Sequence, residues 1–284
     1  MKIVNKVDQM RDIIRFWKKQ GMTVGFVPTM GYLHKGHQSL IERAVQENDK
    51  VVVSVFVNKM QFGPSEDFAS YPRDLNHDAA KCEEMGADIV FHPTDEEMYQ
   101  PNFTSFVDMT GLTEGLCGKS RPIHFRGVCT VVTKLFNIIR PNRAYFGQKD
   151  AQQLAVITHM VRALSMGIEV VGCPIVREGD GLAMSSRNTY LSEEERRAAL
   201  VLSQSLKEAR ERLEAGEKSA ATIREMIAQK VAEEPLARLD YAEVVSWPDL
   251  EELEVAQGAV LVAIAVYIGN TRLIDNFIMD KAVI

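Results

Sequence analysis

The chain has 284 residues, 46% of them hydrophobic and 25% charged, a composition that excludes collagenous, low-complexity and largely disordered proteins. Its 33 basic and 39 acidic residues leave a net charge of −6, spread without long like-charged runs, which argues against nucleic acid as a partner. The longest apolar run, 259–268 between Gly258 and Gly269, is about half of the ~20 residues that a membrane helix needs, so no bilayer span is expected.

Residues 1–20 carry charges throughout and lack an apolar stretch ending in small residues, which is unlike a secretory signal and points to a cytoplasmic protein. Met10, Ile13, Ile14 and Trp17 repeat at helical spacing, with Asp8 as a candidate N-cap and Gly21 as the stop. Short β-rich runs follow at 24–27, 51–57, 89–91, 144–146 and 170–173, several apolar on both faces. Between them lie helical patterns at 37–48, 74–85, 128–139 and 150–166. This βαβα order predicts a parallel sheet covered by helices.

After Arg177 the pattern changes. Ser192 and Glu195 form a capping box ahead of Leu202, Leu206, Ala209 and Leu213. A second helix uses Ile223, Ile227 and Val231 and stops before Pro235. Strands are expected at 241–245, 260–267 and 272–279, the last two joined across Gly269-Asn270 as a hairpin. The fold class is therefore α/β: a Rossmann-like parallel-sheet domain over 1–176 and a smaller α+β domain over 177–284. Cys82, Cys117, Cys129 and Cys173 show no C-x-x-C spacing and read as reduced thiols without a zinc site.

The segment Met30-Gly31-Tyr32-Leu33-His34-Lys35-Gly36-His37 sits where the first long parallel strand hands over to a helix. Open α/β sheets bind ligands at such junctions, and a helix N-terminus offers backbone N–H groups to an anion. Two surface histidines in a mobile loop are the plainer alternative. A metal site from the pair lacks a Cys, a third His or a spaced carboxylate. A second segment, Met184-Ser185-Ser186-Arg187, brings two hydroxyls and a fixed cation, or else is a polar turn leading to the Ser192-capped helix. Gly147-Gln148-Lys149-Asp150 follows a short strand and opens a helix, with Asp150 either an N-cap or a ligand. Asn58, Gln61 and Gln153 taken singly are ordinary polar residues.

The five blocks at 28–37, 56–62, 71–73, 146–153 and 180–188 occur in order along nearly the whole chain, and together they resemble the motifs of pantothenate synthetases, within the His-x-Gly-His nucleotidyl-transferring superfamily. The resemblance implies ATP-dependent condensation of pantoate with β-alanine through a pantoyl adenylate, releasing AMP and pyrophosphate. It implies His37, His34 and Lys149 as catalytic residues, with His37 handling a proton. ATP would be bound by 30–37, by Gly147, Gln148, Lys149 and Asp150, by the backbone near Val176, and by Met184, Ser185, Ser186 and Arg187. Pantoate would be held by Gln61, Gln153 and Asn58, whose neutral amides orient a carboxylate without quenching it as a bidentate arginine would. Mg²⁺ would accompany ATP, its protein contacts unassigned, and the enzyme would be a homodimer. Lys59 stands where the family often has proline. Arg187 agrees with this family and departs from the lysine of the related aminoacyl-tRNA synthetases. His124 and Arg126 lie in a stretch, 111–127, expected either to cover the site or to be a mobile loop. The competing functions are a nucleotidylyltransferase of the same superfamily, a tRNA-binding synthetase relative and a non-catalytic nucleotide sensor.

Overall fold

The structure is a computed structural model that describes residues 1–64 and 66–282; positions 283 and 284 of the expected C-terminal domain lie outside the described residues. In chain order the elements are β1 (Lys2–Val4), α1 (Val7–Lys19), β2 (Val24–Thr29), α2 (Lys35–Glu47), β3 (Lys50–Val55), α3 (Leu75–Glu84), β4 (Ile89–Phe91), α4 (Asp95–Met98), α5 (Cys117–Ser120) and α6 (His124–Ile139). They continue with β5 (Arg143–Gly147), α7 (Ala151–Ala163), β6 (Glu169–Cys173), α8 (Glu193–Ala198), α9 (Leu200–Glu214), α10 (Ala220–Ala232), β7 (Ala237–Ser246), β8 (Gly258–Ile268) and β9 (Thr271–Ala282). Short 3-10 turns occupy Lys59–Gln61, Gln148–Asp150 and Ser186–Tyr190. No helix among the described residues is long and apolar enough to cross a membrane. The chain divides into two units, one of Met1–Thr110, Arg121–Gln148 and Val156–Pro174, the other of Gly111–Ser120, Lys149–Ala155 and everything from Ile175 onward.

The first unit is the expected parallel sheet, in the order β1-β4-β3-β2-β5-β6. Its central strands are buried on both faces, which is why they read as continuous apolar runs. Val27 of β2 packs with Leu40, Ile41 and Ala44 of α2 and Cys82 of α3. Phe26 points the other way and meets Phe136 of α6 edge-on, and Phe136 meets Phe146 of β5 in the same manner. The chain runs outward from β2 through β3 to β4, then returns to the other side for β5 and β6. The strand order therefore reverses between β2 and β5, the place where open α/β sheets leave a crevice at the strands' C-terminal ends.

Several expectations shift by local physics. The strand β1 and the four-residue helices α4 and α5 carry too few residues for a periodic signal. The N-cap of α1 is Lys6, with no side-chain cap bond, and Asp8 lies inside the first turn, where its charge still suits the helix dipole. The strand expected over 51–57 ends at Val55, because Asn58 already caps the turn that follows. Helix α6 begins a turn earlier than its apolar stripe, so His124 and Arg126 are helical rather than part of a loop. The rest of the stretch 111–127 is likewise ordered by side-chain bonds, as follows.

The second unit stacks α9 and α10 on one face of an antiparallel sheet, β7-β8-β9. Alternate residues of β8 divide between two clusters. Val260, Val262, Ile264 and Val266 join Leu202, Leu206 and Ile227, while Leu261 and Ala263 face Leu116, Ala151 and Val245. The two-residue connection at Gly269-Asn270 is the expected hairpin, and Ser192 and Glu195 form the expected capping box of α8. Residues 111–120 are strapped down at two places. Gln152 donates through Nε2 to the carbonyls of Leu112 and Gly115 at 2.9 and 2.8 Å and accepts from Cys117 N at 2.9 Å. Cys117 Sγ lies 3.3 Å from the Tyr241 hydroxyl and 3.6 Å from the Arg272 guanidinium, which also binds Asp240 at 2.7 Å. Burial raises the Tyr241 phenol well above its ordinary pKa, and Cys117 adds to that.

Candidate active site

The residues between β2 and α2 are held in an unusual backbone path. Gly31 has φ +89° and Tyr32 φ +52°, and the left-handed value at a tyrosine costs about 1 kcal/mol or more that the surroundings must supply. Asp78 of α3 supplies it. Its buried carboxylate accepts from Leu33 N at 2.7 Å through Oδ1 and from Tyr32 N at 3.0 Å through Oδ2. Burial pushes the Asp78 pKa up, against the pull of those two backbone donors. A side chain on Gly31 would put its Cβ 2.7 Å from Asp78 Oδ2 and 3.0 Å from Val55, so glycine is required there on two counts. Thr29 ties the start of the loop, accepting from Gly31 N at 3.1 Å and donating to Ser54 O at 2.7 Å. His77 donates from Nε2 to Leu33 O at 2.9 Å and stacks on Tyr32. Leu33 is thus used entirely within the unit, its side chain in the core and both backbone groups paired.

The two histidines cap α2. His34 is the N-cap residue, and its Nδ1 accepts from Gly36 N at 3.1 Å. His37 Nδ1 accepts in turn from His34 N at 3.3 Å, and the ring centroids are 4.1 Å apart. A backbone N–H only donates, so each Nδ1 is unprotonated and each neutral ring carries its proton on Nε2. The capping fixes both imidazoles as Nε2–H donors beside the positive end of the helix dipole. Lys35 and Gly36 form the first turn of α2 behind them.

Asn58 and Gln61 are buried at the turn after β3. Asn58 Nδ2 donates to Gly127 O and to Gln61 Oε1, both at 3.1 Å, and its Oδ1 accepts from the Tyr99 hydroxyl at 2.8 Å. Gln61 Nε2 lies 3.0 Å from Met30 Sδ, which joins this turn to the 28–37 loop. Helix α6 closes in from the other side. A Cβ on Gly127 would overlap the Met60 backbone and come within 2.6 Å of Gln61 Cα, and His124 Nδ1 donates to Gln61 O at 3.0 Å. Arg121 bonds Glu66 through Nε at 3.0 Å; burial raises the Glu66 pKa, but Arg121 outweighs it and leaves the carboxyl below its usual range. Lys59 is exposed beside Asn58, and the turn it belongs to is intact.

The other expected residues belong to the second unit, apart from Gly147 and Gln148, which end β5 and open the next turn. Lys149 Nζ is 3.7 Å from Asp150 Oδ2, and Lys149 O accepts from Asn276 Nδ2 at 2.8 Å. Asp150 ends a 3-10 turn directly before α7. Gln153 follows Gln152, yet the two differ completely. The buried Gln152 amide is committed to the strap, whereas the Gln153 side chain has no hydrogen bond among the described residues. Val176 O accepts from Met184 N at 3.0 Å, and Glu178 N donates to Leu182 O at 2.8 Å, so 176–184 is a closed ladder around Gly181. Ser185 caps the turn that carries Ser186 and Arg187, its Oγ accepting from Arg187 N at 3.2 Å. Asn188 and Arg196 clamp the ladder through Glu178, with Arg196 also reaching Asp180 at 2.8 Å. Those bonds from Arg196 hold both carboxyls below their ordinary values.

Asp78, Tyr99 and Gly127 are absent from the set read from the sequence, and Gln152 lies inside the 146–153 block without a role assigned to it, because each acts on a segment remote in the chain. Chemically the first unit offers imidazole N–H donors at a helix terminus beside a pair of neutral amides, and the second offers a lysine, hydroxyls and an arginine. The imidazole donors of the first unit suit a phosphate-like anion, and its neutral amides suit a small polar acid. Among the described residues no group of three or more His, Cys, Asp or Glu is arranged to hold a metal ion.

The comparisons with known proteins agree with this chemistry. A family model described as pantoate-beta-alanine ligase matches residues 2–278. The pantothenate synthetase of Enterococcus faecalis is 59% identical over 280 residues, covering 99% of this chain and 99% of the relative. The crystal structure of pantothenate synthetase from Thermus thermophilus superposes with a TM-score of 0.93 at 46% identity, over 98% of this chain and 99% of that one. The pantoate-beta-alanine ligase of Francisella tularensis, solved in complex with beta-gamma ATP and beta-alanine, gives a TM-score of 0.80 at 33% identity over 98% and 97% of the two chains.

Proposed function

Because this chain belongs to the pantoate-beta-alanine ligase family, we propose that it joins pantoate to β-alanine at the expense of ATP, through two successive displacements. In the first, a pantoate carboxylate oxygen attacks the α-phosphorus of ATP, and pyrophosphate leaves to give pantoyl adenylate. In the second, the β-alanine amine attacks the acyl carbon, the acyl–phosphate bond breaks as AMP leaves, and the proton released from nitrogen passes to solvent.

The observation that carries this reading is the capped histidine pair. His34 and His37 are locked as Nε2–H donors at the start of α2, and developing negative charge on phosphate oxygens is what such donors stabilise. The same tautomer makes His37 a donor to phosphate in the first step. Handling the amine proton at Nδ1 would require breaking its bond to His34 N, so we assign His37 chiefly to charge stabilisation. Lys149, Ser185, Ser186 and Arg187 add cationic and hydroxyl donors for the phosphates. Met30, Gly31, Tyr32, Lys35 and Gly36 with Gly147, Gln148, Asp150, Val176 and Met184 contribute the remaining ATP contacts, and Leu33 keeps their loop in place. Gln61, Gln153 and Asn58 hold pantoate, Gln153 because its amide has no hydrogen bond among the described residues while Gln152 is fully used.

Mg²⁺ fits this donor set as a cation carried in on the triphosphate, since Mg²⁺ keeps most of its waters and binds through substrate phosphates rather than an all-protein cage. When bound it neutralises phosphate charge. We further propose a homodimer acting in the cytoplasm, where ATP is available; light scattering reads the assembly directly.

The deciding experiment is pyrophosphate exchange into ATP with pantoate present and β-alanine absent, followed by AMP release when β-alanine is added. Pantoate-dependent exchange and amine-dependent AMP are expected. Exchange that needs no pantoate, or AMP release that needs no amine, would overturn the two-step scheme.

A further inference from the structure

The network behind Gln61 determines which end of its amide faces a ligand. Gly127 O only accepts, so the Asn58 group 3.1 Å from it is Nδ2, and Oδ1 is left for the donors on the other side, Met60 N and the Tyr99 hydroxyl. The second Nδ2 proton then reaches Gln61 Oε1 at 3.1 Å. With Oε1 occupied, Gln61 turns Nε2 away from Asn58. One Nε2 proton lies toward Met30 Sδ, and the other has no partner among the described residues.

Tyr99 is the outer anchor of this chain. It stands just past the C-terminus of α4, its ring packed against Phe56 and Phe103 at centroid distances of 6.3 and 5.0 Å, with the Lys134 ammonium 5.7 Å from its centroid. The packing leaves the hydroxyl directed at Asn58. Building on the assignment of Gln61 to pantoate, we propose that Tyr99 is a positioning residue for that substrate: through Asn58 it fixes the Gln61 amide so that Gln61 presents an N–H donor to an acceptor oxygen of pantoate. Without the phenol, Asn58 Oδ1 keeps, among the described residues, only the longer 3.4 Å contact from Met60 N, and the relay loses its outer anchor.

The test compares Tyr99→Phe, Gln61→Ala, their double variant and Gln61→Glu by steady-state kinetics in pantoate and in ATP, with thermal unfolding measured in parallel. Tyr99→Phe keeps the ring and its packing. It should raise the pantoate KM roughly 3- to 10-fold, the size of one lost hydrogen bond, and leave the ATP KM within about 2-fold. The double variant should be no worse than Gln61→Ala, because both act through one amide. Gln61→Glu keeps an acceptor for Asn58 and loses both donors, so its pantoate KM should rise at least as far as that of Gln61→Ala. A raised pantoate KM in Gln61→Ala with none in Tyr99→Phe would overturn the relay and leave the Gln61 assignment standing. Effects that multiply in the double variant, a parallel rise in the ATP KM, or wild-type pantoate affinity in Gln61→Glu would also overturn it. An unchanged pantoate KM in Gln61→Ala would remove the assignment of Gln61 itself.

Discussion

Asp78 Oδ1 accepts the backbone N–H of Leu33 at 2.7 Å, although 45 positions separate the two residues. The same carboxylate takes Tyr32 N, so a single side chain of α3 sets the path that leads to the histidine pair. Asp78→Ala would leave two backbone donors without an acceptor in a largely dry site, at about 2 to 4 kcal/mol. Pyrophosphate exchange should fall with it, and Asp78→Asn, which retains one acceptor, should lie between. Urea unfolding of the three proteins measures this, and a loss under about 1 kcal/mol for Asp78→Ala would show that the loop holds its shape by other means.

His34 and His37 should separate by their structural duties. His37→Ala removes one donor from the developing phosphate charge and should slow pantoate-dependent exchange about 100- to 1000-fold. His34→Ala should do the same and lower stability by about 1 kcal/mol, because it deletes the N-cap of α2, a larger loss than that of His37→Ala, which gives up only the longer 3.3 Å half of the capping box. Exchange rates and melting curves on the two variants distinguish these outcomes.

Gly127→Ala places a methyl group into the Met60 backbone and against Gln61 Cα. Neither obstacle is a flexible side-chain end, so α6 or the 58–61 turn must move, at about 1 to 3 kcal/mol. The variant should lose pantoate affinity more than ATP affinity, as titration calorimetry with each substrate would read.

Adjacent glutamines give an internal control. Gln152→Ala strips three hydrogen bonds from the 111–120 strap and should cost about 2 to 3 kcal/mol of stability. Gln153→Ala breaks no bond among the described residues and should leave stability within about 0.5 kcal/mol while raising the pantoate KM. The opposite pattern would reverse their roles.

Stability should depend on pH through Arg196. Its bonds lower the pKa of Glu178 and of Asp180, and a carboxyl depressed in the folded state adds stability above its unfolded value that is lost as pH falls through the folded one. Arg196→Met should therefore be less stable than the parent by about 1 kcal/mol at neutral pH. The gap should shrink below about pH 4, where the unfolded carboxyls begin to protonate. Urea midpoints across that range test it, and a constant gap would mean that Arg196 contributes through packing instead.

What could be read from the sequence is what is local. The parallel strands announce themselves because burial on both faces leaves runs such as 51–53 without polar residues. The histidine pair and the capping box at Ser192 are fixed by spacings of three residues. The start of α6 escaped because Gly127 looks like a helix breaker, whereas the structure needs it for its missing Cβ. Asp78 and Tyr99 left no trace because each acts on backbone or amide groups more than 40 positions away, and a lone Asp in a helix or Tyr after one is ordinary. Gln152 and Gln153 were indistinguishable as neighbours in the sequence; only the identity of their partners separates a strap from a ligand.

The strap over 111–120 also carries a consequence for how the polypeptide is made. Its hold on Tyr241 and Arg272 spans 124 and 155 positions. During synthesis this segment leaves the ribosome long before Tyr241 and Arg272 exist, and its Cys117 anchor stays incomplete until the β8-β9 hairpin has emerged. A chain that terminates before β9 lacks Arg272 and leaves Cys117 and Asp240 without their shared cation. Closure of this anchor therefore waits for β9, and a product lacking β9 would be more open to proteases within 111–120, in the middle of its sequence, although Gln152 still holds the other anchor.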